Sequence, residues 1–167
     1  MKLLKPSVSV LSTAIVALAA SVAFGQVPSG LKYVSTSAKA EPATIPAGGK
    51  STIDVKLSVI SGFHINAAKP KDPDLIPTAV SEVVTPGFKF GAVIYPKAVV
   101  INAPSLSQQP LLVYLGSNIV KIPITASKSV KPGLYKLSVS VQYQGCNTSA
   151  CFPPKTDNIS VPVVVTP

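Results

Sequence analysis

The stretch Lys136-Leu137-Ser138-Val139-Ser140-Val141-Gln142-Tyr143 decides the fold class. Its apolar residues fall at every second position, so an extended chain turns Leu137, Val139, Val141 and Tyr143 to one face and the polar residues to the other. The same alternation recurs in Ile53, Val55, Leu57 and Val59, set between Thr52, Asp54, Lys56 and Ser58. Ile159, Val161, Val163 and Val165 form a third such row. Shorter strand candidates are Leu31–Ser35, Phe88–Ile94, Ala98–Ile101, Leu111–Leu115 and Ile119–Thr125. No stretch downstream of the leader carries a convincing helical period, and the 17 prolines would break one.

Turn signals separate these runs: Pro46-Ala47-Gly48-Gly49, Ser61-Gly62, Pro86-Gly87, Gly116-Ser117-Asn118 and Lys131-Pro132-Gly133. Pro123 and Pro162 fall inside strand patterns, which places them at edges or bulges because proline has no N–H to give a ladder. About eight short strands with regular turns describe an all-β, immunoglobulin-like sandwich, with a barrel as the alternative. Residues 64–81, rich in proline and aspartate, and residues 102–110 read as irregular loops at one end. In such folds the end loops carry function.

The first residues read as a secretory leader. Lys2 and Lys5 give a positive start, an apolar run extends from Val8 to Phe24, and Ala23-Phe24-Gly25 offers small residues for cleavage before Gln26. A retained membrane anchor is the rival reading, but the run is shorter than the roughly 20 residues a span needs. The expectation is a cleaved signal peptide over 1–25 and one domain over 26–167, soluble in the oxidising compartment to which it is exported. Two cysteines exported there are expected to meet as a disulfide.

The chain carries a formal charge of +9, all its cationic side chains are lysine, and it has no tryptophan. Nucleic-acid sites lean on arginine forks and stacking rings, so scattered lysines describe a solvated basic surface and no nucleic-acid partner. A blue-copper site needs two histidines, a cysteine and usually a methionine. Here His64 is the single histidine and the single methionine is the initiator. Zinc on Cys146, Cys151 and His64 would lack ligands for a closed site. There is no Gly-x-Ser-x-Gly elbow, and the six acidic residues form no obvious pair for a two-carboxylate hydrolase. No cofactor or metal is called for.

What remains is Tyr143-Gln144-Gly145-Cys146-Asn147-Thr148-Ser149-Ala150-Cys151-Phe152-Pro153-Pro154, directly after the best strand. Four residues between the cysteines allow a turn that brings their Cβ atoms within bonding reach. Two readings stand on spacing alone. A structural staple is the usual role of an exported disulfide, although closing so short a loop contributes only about 2 kcal/mol in the chain-entropy account. A redox-active pair is the other, without the Cys-x-x-Cys spacing of thioredoxins. If the pair is only a staple, the protein is a non-catalytic exported sandwich that binds a partner.

Tyr143-Gln144-Gly145-Cys146 with Cys151-Phe152-Pro153-Pro154-Lys155-Thr156 resembles the active-site segment of the N-terminal periplasmic domain of DsbD, the thiol–disulfide interchange protein. Gly62-Phe63-His64-Ile65-Asn66, with Pro70 and Ile76-Pro77 beyond, is similar to the G-[YF]-H-I-N segment of many members. Val113-Tyr114-Leu115-Gly116 and Ile122-Pro123-Ile124 fit the strands between, so the resemblance covers about residues 30–165. It implies an immunoglobulin-like domain acting as a protein-disulfide reductase, passing electrons by thiol–disulfide exchange. Cys151 would attack a partner disulfide and Cys146 would resolve the mixed disulfide. Phe63, His64, Asn66, Tyr143 and Phe152 would support the pair, His64 either by hydrogen bonding or assisting proton transfer near it or as a merely packed residue. The family continues into transmembrane and thioredoxin-like domains, whereas this sequence ends at Pro167. Both a membrane electron donor and thioredoxin-like partners are therefore expected as separate proteins. The family also shields its cysteines with a cap loop, whose equivalent would fall within residues 95–110.

Overall fold

The computed structural model describes residues 32–167. The expected leader, and Leu31 at the head of one strand candidate, lie outside the described residues. Three four-stranded sheets make up the domain. The first contains β1 (Val34–Glu41), β3 (Lys50–Val59), β9 (Ser117–Ala126) and β6 (Phe88–Phe90), hydrogen-bonded in the order β1-β3-β9-β6. The second contains β2 (Thr44–Pro46), β12 (Lys155–Thr166), β10 (Gly133–Tyr143) and β5 (Ala79–Glu82), in the order β2-β12-β10-β5. These two sheets are the leaves of an all-β sandwich of immunoglobulin-like type. All their ladders are antiparallel except the short parallel pairing of β2 with β12.

The alternation in the sequence becomes the core. Ile53, Val55, Leu57 and Val59 of β3 are buried, as are Leu137, Val139, Val141 and Tyr143 of β10 and Val161, Val163 and Val165 of β12. Val120, Ile122, Ile124 and Ala126 of β9 complete the facing wall. The intervening Asp54 and Lys121 are direct register partners on the outer face and bond at 2.8 Å. Such a solvated pair adds little stability. At the Ser61-Gly62 and Gly116 turns the glycines take φ of 83° and 59°, a left-handed conformation that favours glycine.

Both strand prolines sit where no donor is needed. Pro162 is in step with Val164, whose N–H faces β2; β2 reaches back only to Thr44, opposite Val164, so the Pro162 nitrogen looks beyond the end of that strand. Pro123 lies in an interior strand, opposite a bulge. Phe90 pairs with Ile124 and Ile94 bridges Lys121, so three residues, 91–93, oppose two, 122–123.

The third sheet grows out of one end of the sandwich. It contains β4 (His64–Asn66), β7 (Val99–Ile101), β8 (Leu111–Tyr114) and β11 (Gly145–Cys146), in the order β11-β4-β8-β7. β4 follows the end of β3, β8 precedes the start of β9, and β11 continues β10 after Gln144. Several details differ from the sequence reading: β2 falls outside every strand candidate, and the candidate Phe88–Ile94 is a strand only over Phe88–Phe90. The stretch 64–81, expected to be irregular, holds β4 and the start of β5, while β1 runs to Glu41 instead of stopping at Ser35. All three residues of β4 are buried, so no alternation betrays it as a strand. Residues 102–110 are irregular, as expected.

Leu57 is fully buried at the centre of β3. Leu57→Ala should destabilise the domain by about 2–5 kcal/mol. Urea unfolding should show a lower midpoint at unchanged slope.

Candidate functional site

The cysteine segment is built by a change of strand partner. β10 is laddered to β12 as far as Tyr143, and two residues later the chain pairs with β4 instead, Gly145 opposite Ile65 and Cys146 opposite His64. The four residues Asn147–Ala150 then turn back. Asn147 Oδ1 accepts from the N–H groups of Ser149 and Ala150, both at 2.8 Å, and the Asn147 N–H donates to Ala150 O at 2.9 Å. The Phe152 N–H donates to Gly145 O at 2.8 Å. Cys146 and Cys151 are thus directly opposite between two hydrogen-bonded positions, where antiparallel side chains lie closest. Their Cα atoms are 3.9 Å apart and their sulfurs are joined. The two are not equivalent: Cys146 is fully buried, whereas Cys151 is partly exposed.

Direct register partners project to the same face of a sheet. Cys151, Cys146 and His64 therefore form a row on one face. His64 is 5% exposed, its Nε2 has no hydrogen-bond partner among the described residues, and burial holds its imidazole below the usual histidine range. Asn66, fully buried one step beyond Ile65, ties the strand to the loop that follows it and to the residue before β11. Its Nδ2 donates to Ile76 O at 3.0 Å and to Gln144 Oε1 at 3.1 Å. The Thr78 hydroxyl donates to Asn66 O at 2.6 Å. Asn66 thus anchors the loop through Ile76 against the root of the cysteine hairpin.

Aromatic rings fill the space beneath. Tyr33 stacks on Phe63 at 5.6 Å between centroids, tilts against Phe152 at 5.2 Å and meets the edge of Tyr143 at 6.3 Å. Phe63 and Phe152 are 5.9 Å apart. The Lys155 ammonium sits 4.9 Å from the centre of the Tyr33 ring. The Tyr143 hydroxyl donates to Asp157 Oδ2 at 3.3 Å, and the same oxygen accepts from the Thr36 hydroxyl at 2.7 Å. Burial first, and the Asp157 carboxylate second, push the Tyr143 phenol far up. Tyr143 joins the site through Tyr33, as part of the tie between the two leaves.

All seven residues singled out in the sequence gather at this end of the sandwich. Tyr33, Gly145 and Gln144 are also part of the site. Gly145 admits no side chain, since a Cβ there would overlap the Tyr33 ring. Only its place before Cys146 marked it in the sequence. Tyr33 lies in a weakly patterned strand candidate and carried no signal.

Beside the row lies a cavity of about 290 Å³. His64, Thr148 of the inter-cysteine turn and Ile101–Ser105 line it. The segment after β7, within the range expected for a cap, thus lies against the turn. A buried cysteine bonded to a partly exposed one suits this arrangement to thiol–disulfide exchange, which needs one reachable cysteine and a second held in bonding reach.

A family model described as the N-terminal region of the thiol:disulfide interchange protein DsbD matches residues 34–162. No curated protein sequence matches the chain. Solved structures with a similar fold include the N-terminal periplasmic domain of ScsB from Proteus mirabilis, at 11% identity and a TM-score of 0.45, over 75% of this chain and 44% of that one. The chain therefore spans less than half the length of that relative. The reduced DsbD N-terminal domain of Neisseria meningitidis is similar at 17% identity and a TM-score of 0.44, over 72% of this chain and 85% of that one. The seventh ScaB type I cohesin of Pseudobacteroides cellulosolvens matches at 9% identity and 0.43, over 78% of this chain and 92% of that one.

Gly145→Ala should force the hairpin and the Tyr33 ring apart, at a cost of about 1–3 kcal/mol typical of overpacking. Thermal unfolding of the variant checks this, and Tyr33→Leu in the same background should recover part of the loss.

Proposed function

The chain belongs to the DsbD N-terminal domain family, and from that premise we propose that it relays electrons to thioredoxin-like proteins through Cys146 and Cys151. The family works by thiol–disulfide exchange in the periplasm, as a reductase-type domain. Among the described residues no helix is long and apolar enough to cross a membrane. On this reading residues 1–25 are a cleaved leader and 26–167 one exported domain. The electrons come from a membrane donor.

The observation that carries the reading is the unequal burial of two bonded cysteines. Cys151, partly exposed, is the sulfur a partner can reach, and Cys146, fully buried, is the one that stays behind to resolve. In the reducing direction the Cys151 thiolate attacks one sulfur of the partner disulfide. That bond breaks and its other sulfur leaves as thiolate. Cys146, once deprotonated, then attacks Cys151 Sγ, and the second partner sulfur leaves with the electron pair. The result is one disulfide here and one dithiol there, with two electrons transferred. Metal and organic cofactors have no part in these steps. Phe63 and Phe152 support the hairpin from below through the Tyr33 stack, and Asn66 anchors its root.

The short loop fits this use. Its closure contributes little to stability, so opening the bond leaves the sandwich folded. Cys151→Ala should abolish electron transfer, and Cys146→Ala should accumulate mixed disulfides with thioredoxin-like partners. Thiol trapping in graded redox buffers gives the complementary measure. A relay pair should titrate near about −200 to −250 mV, whereas a value below about −300 mV would mark a structural staple and sink the proposal.

A further inference from the structure

The resolving step leaves one problem open: Cys146 must lose a proton while fully buried, and burial in apolar surroundings opposes thiolate formation. The residue directly opposite it is His64, on the same face of the sheet. Directly opposite side chains have Cβ atoms roughly 4.5–5.5 Å apart, which brings an imidazole within reach of a neighbouring sulfur. His64 is the domain's single histidine, and its Nε2 is buried without a hydrogen-bond partner among the described residues. An orphaned buried nitrogen is costly, and a disulfide offers it no proton to accept. A thiol does. The group left unsatisfied in the oxidised protein gains a natural donor when the pair is reduced.

We infer that His64 accepts the Cys146 thiol proton in the step that closes the disulfide. This deepens the relay reading and rests on it. The Cys146 S–H proton passes to Nε2, and the thiolate so formed attacks Cys151 Sγ. The bond from Cys151 to the partner sulfur breaks, and the partner leaves as thiolate with the electron pair. The proton on His64 then goes to that thiolate or to solvent, past the cavity that His64 shares with Thr148 and Ile101–Ser105.

The surroundings leave this role to His64 alone. On β8 the titratable group is Tyr114, which is opposite Ile65 and so projects to the other face, where its hydroxyl accepts from the Ala68 N–H. β11 contributes only Cys146, and neither Ile101–Ser105 nor the Asn147–Ala150 turn carries a titratable or charged side chain. No charged group acts on the imidazole; burial alone lowers its basicity. It is therefore neutral, and ready to take a proton, at neutral pH.

The test follows the exported protein, reduced and then mixed with oxidised glutathione, by acid quench and thiol trapping. Formation of the mixed disulfide at Cys151 and its closure by Cys146 are timed separately between pH 6 and 8. His64→Gln keeps a polar side chain of similar length without a titrating base, and decides the matter if His64→Ala does not fold. Closure at pH 7 should slow on the order of 100-fold in His64→Gln. Its rate should then climb about tenfold per pH unit toward the ordinary thiol range near 8.5. Formation of the mixed disulfide should change less than about twofold, since His64 acts after it. Closure with an unaltered rate and pH profile in His64→Gln would overturn the inference while leaving the relay intact. A wild-type protein inert to glutathione disulfide would overturn both.

Discussion

The contact on which the site depends is that of the Tyr33 ring with the backbone of Gly145. No Cβ fits between them. The ring closes the end of the sandwich core, and the glycine lets the chain pass over it and leave the β10–β12 ladder for β4. A side chain at 145 would lift the hairpin off its aromatic floor. Tyr33 in turn is held by Phe63, from the turn before β4, and by Tyr143 and Phe152, which flank the cysteine hairpin. The cysteine pair is mounted on the end of the hydrophobic core.

That mounting explains the unequal cysteines. β11 lies between β4 and the returning strand, so Cys146 is covered from both sides, while Cys151 occupies the outer position and keeps access to solvent. Burial and accessibility are set by strand order. The Asn147 turn, with two N–H groups on one carboxamide oxygen, holds the return tightly enough for the sulfurs to meet in the closest kind of antiparallel pair. Asn66 and Gln144 keep the root of the hairpin in register.

The sandwich was legible because alternation is a local property. Leu137 to Tyr143, Ile53 to Val59 and Ile159 to Val165 announce a buried face at every second position, whatever lies opposite, and the structure buries them, Ile159 only in part. The prolines were legible for a similar reason: a missing N–H restricts Pro123 and Pro162 to a bulge and an unpaired flank. The cysteine hairpin could be read from its spacing and from the motif around it. β4 could not be read as a strand, because a segment buried on both faces shows no period.

By itself the sequence determined the all-β class, the main strands and the presence of a closely spaced cysteine pair. Each follows from residue types within a few positions of one another. The tertiary structure alone decided that Cys146 is opposite His64, that Tyr33 lies against Gly145, and that one cysteine is buried and the other partly exposed. The residues in those contacts are tens of positions apart or more, except in the hairpin itself. Their meeting depends on which strands pair and in what register, and a one-residue slip would turn every side chain to the opposite face.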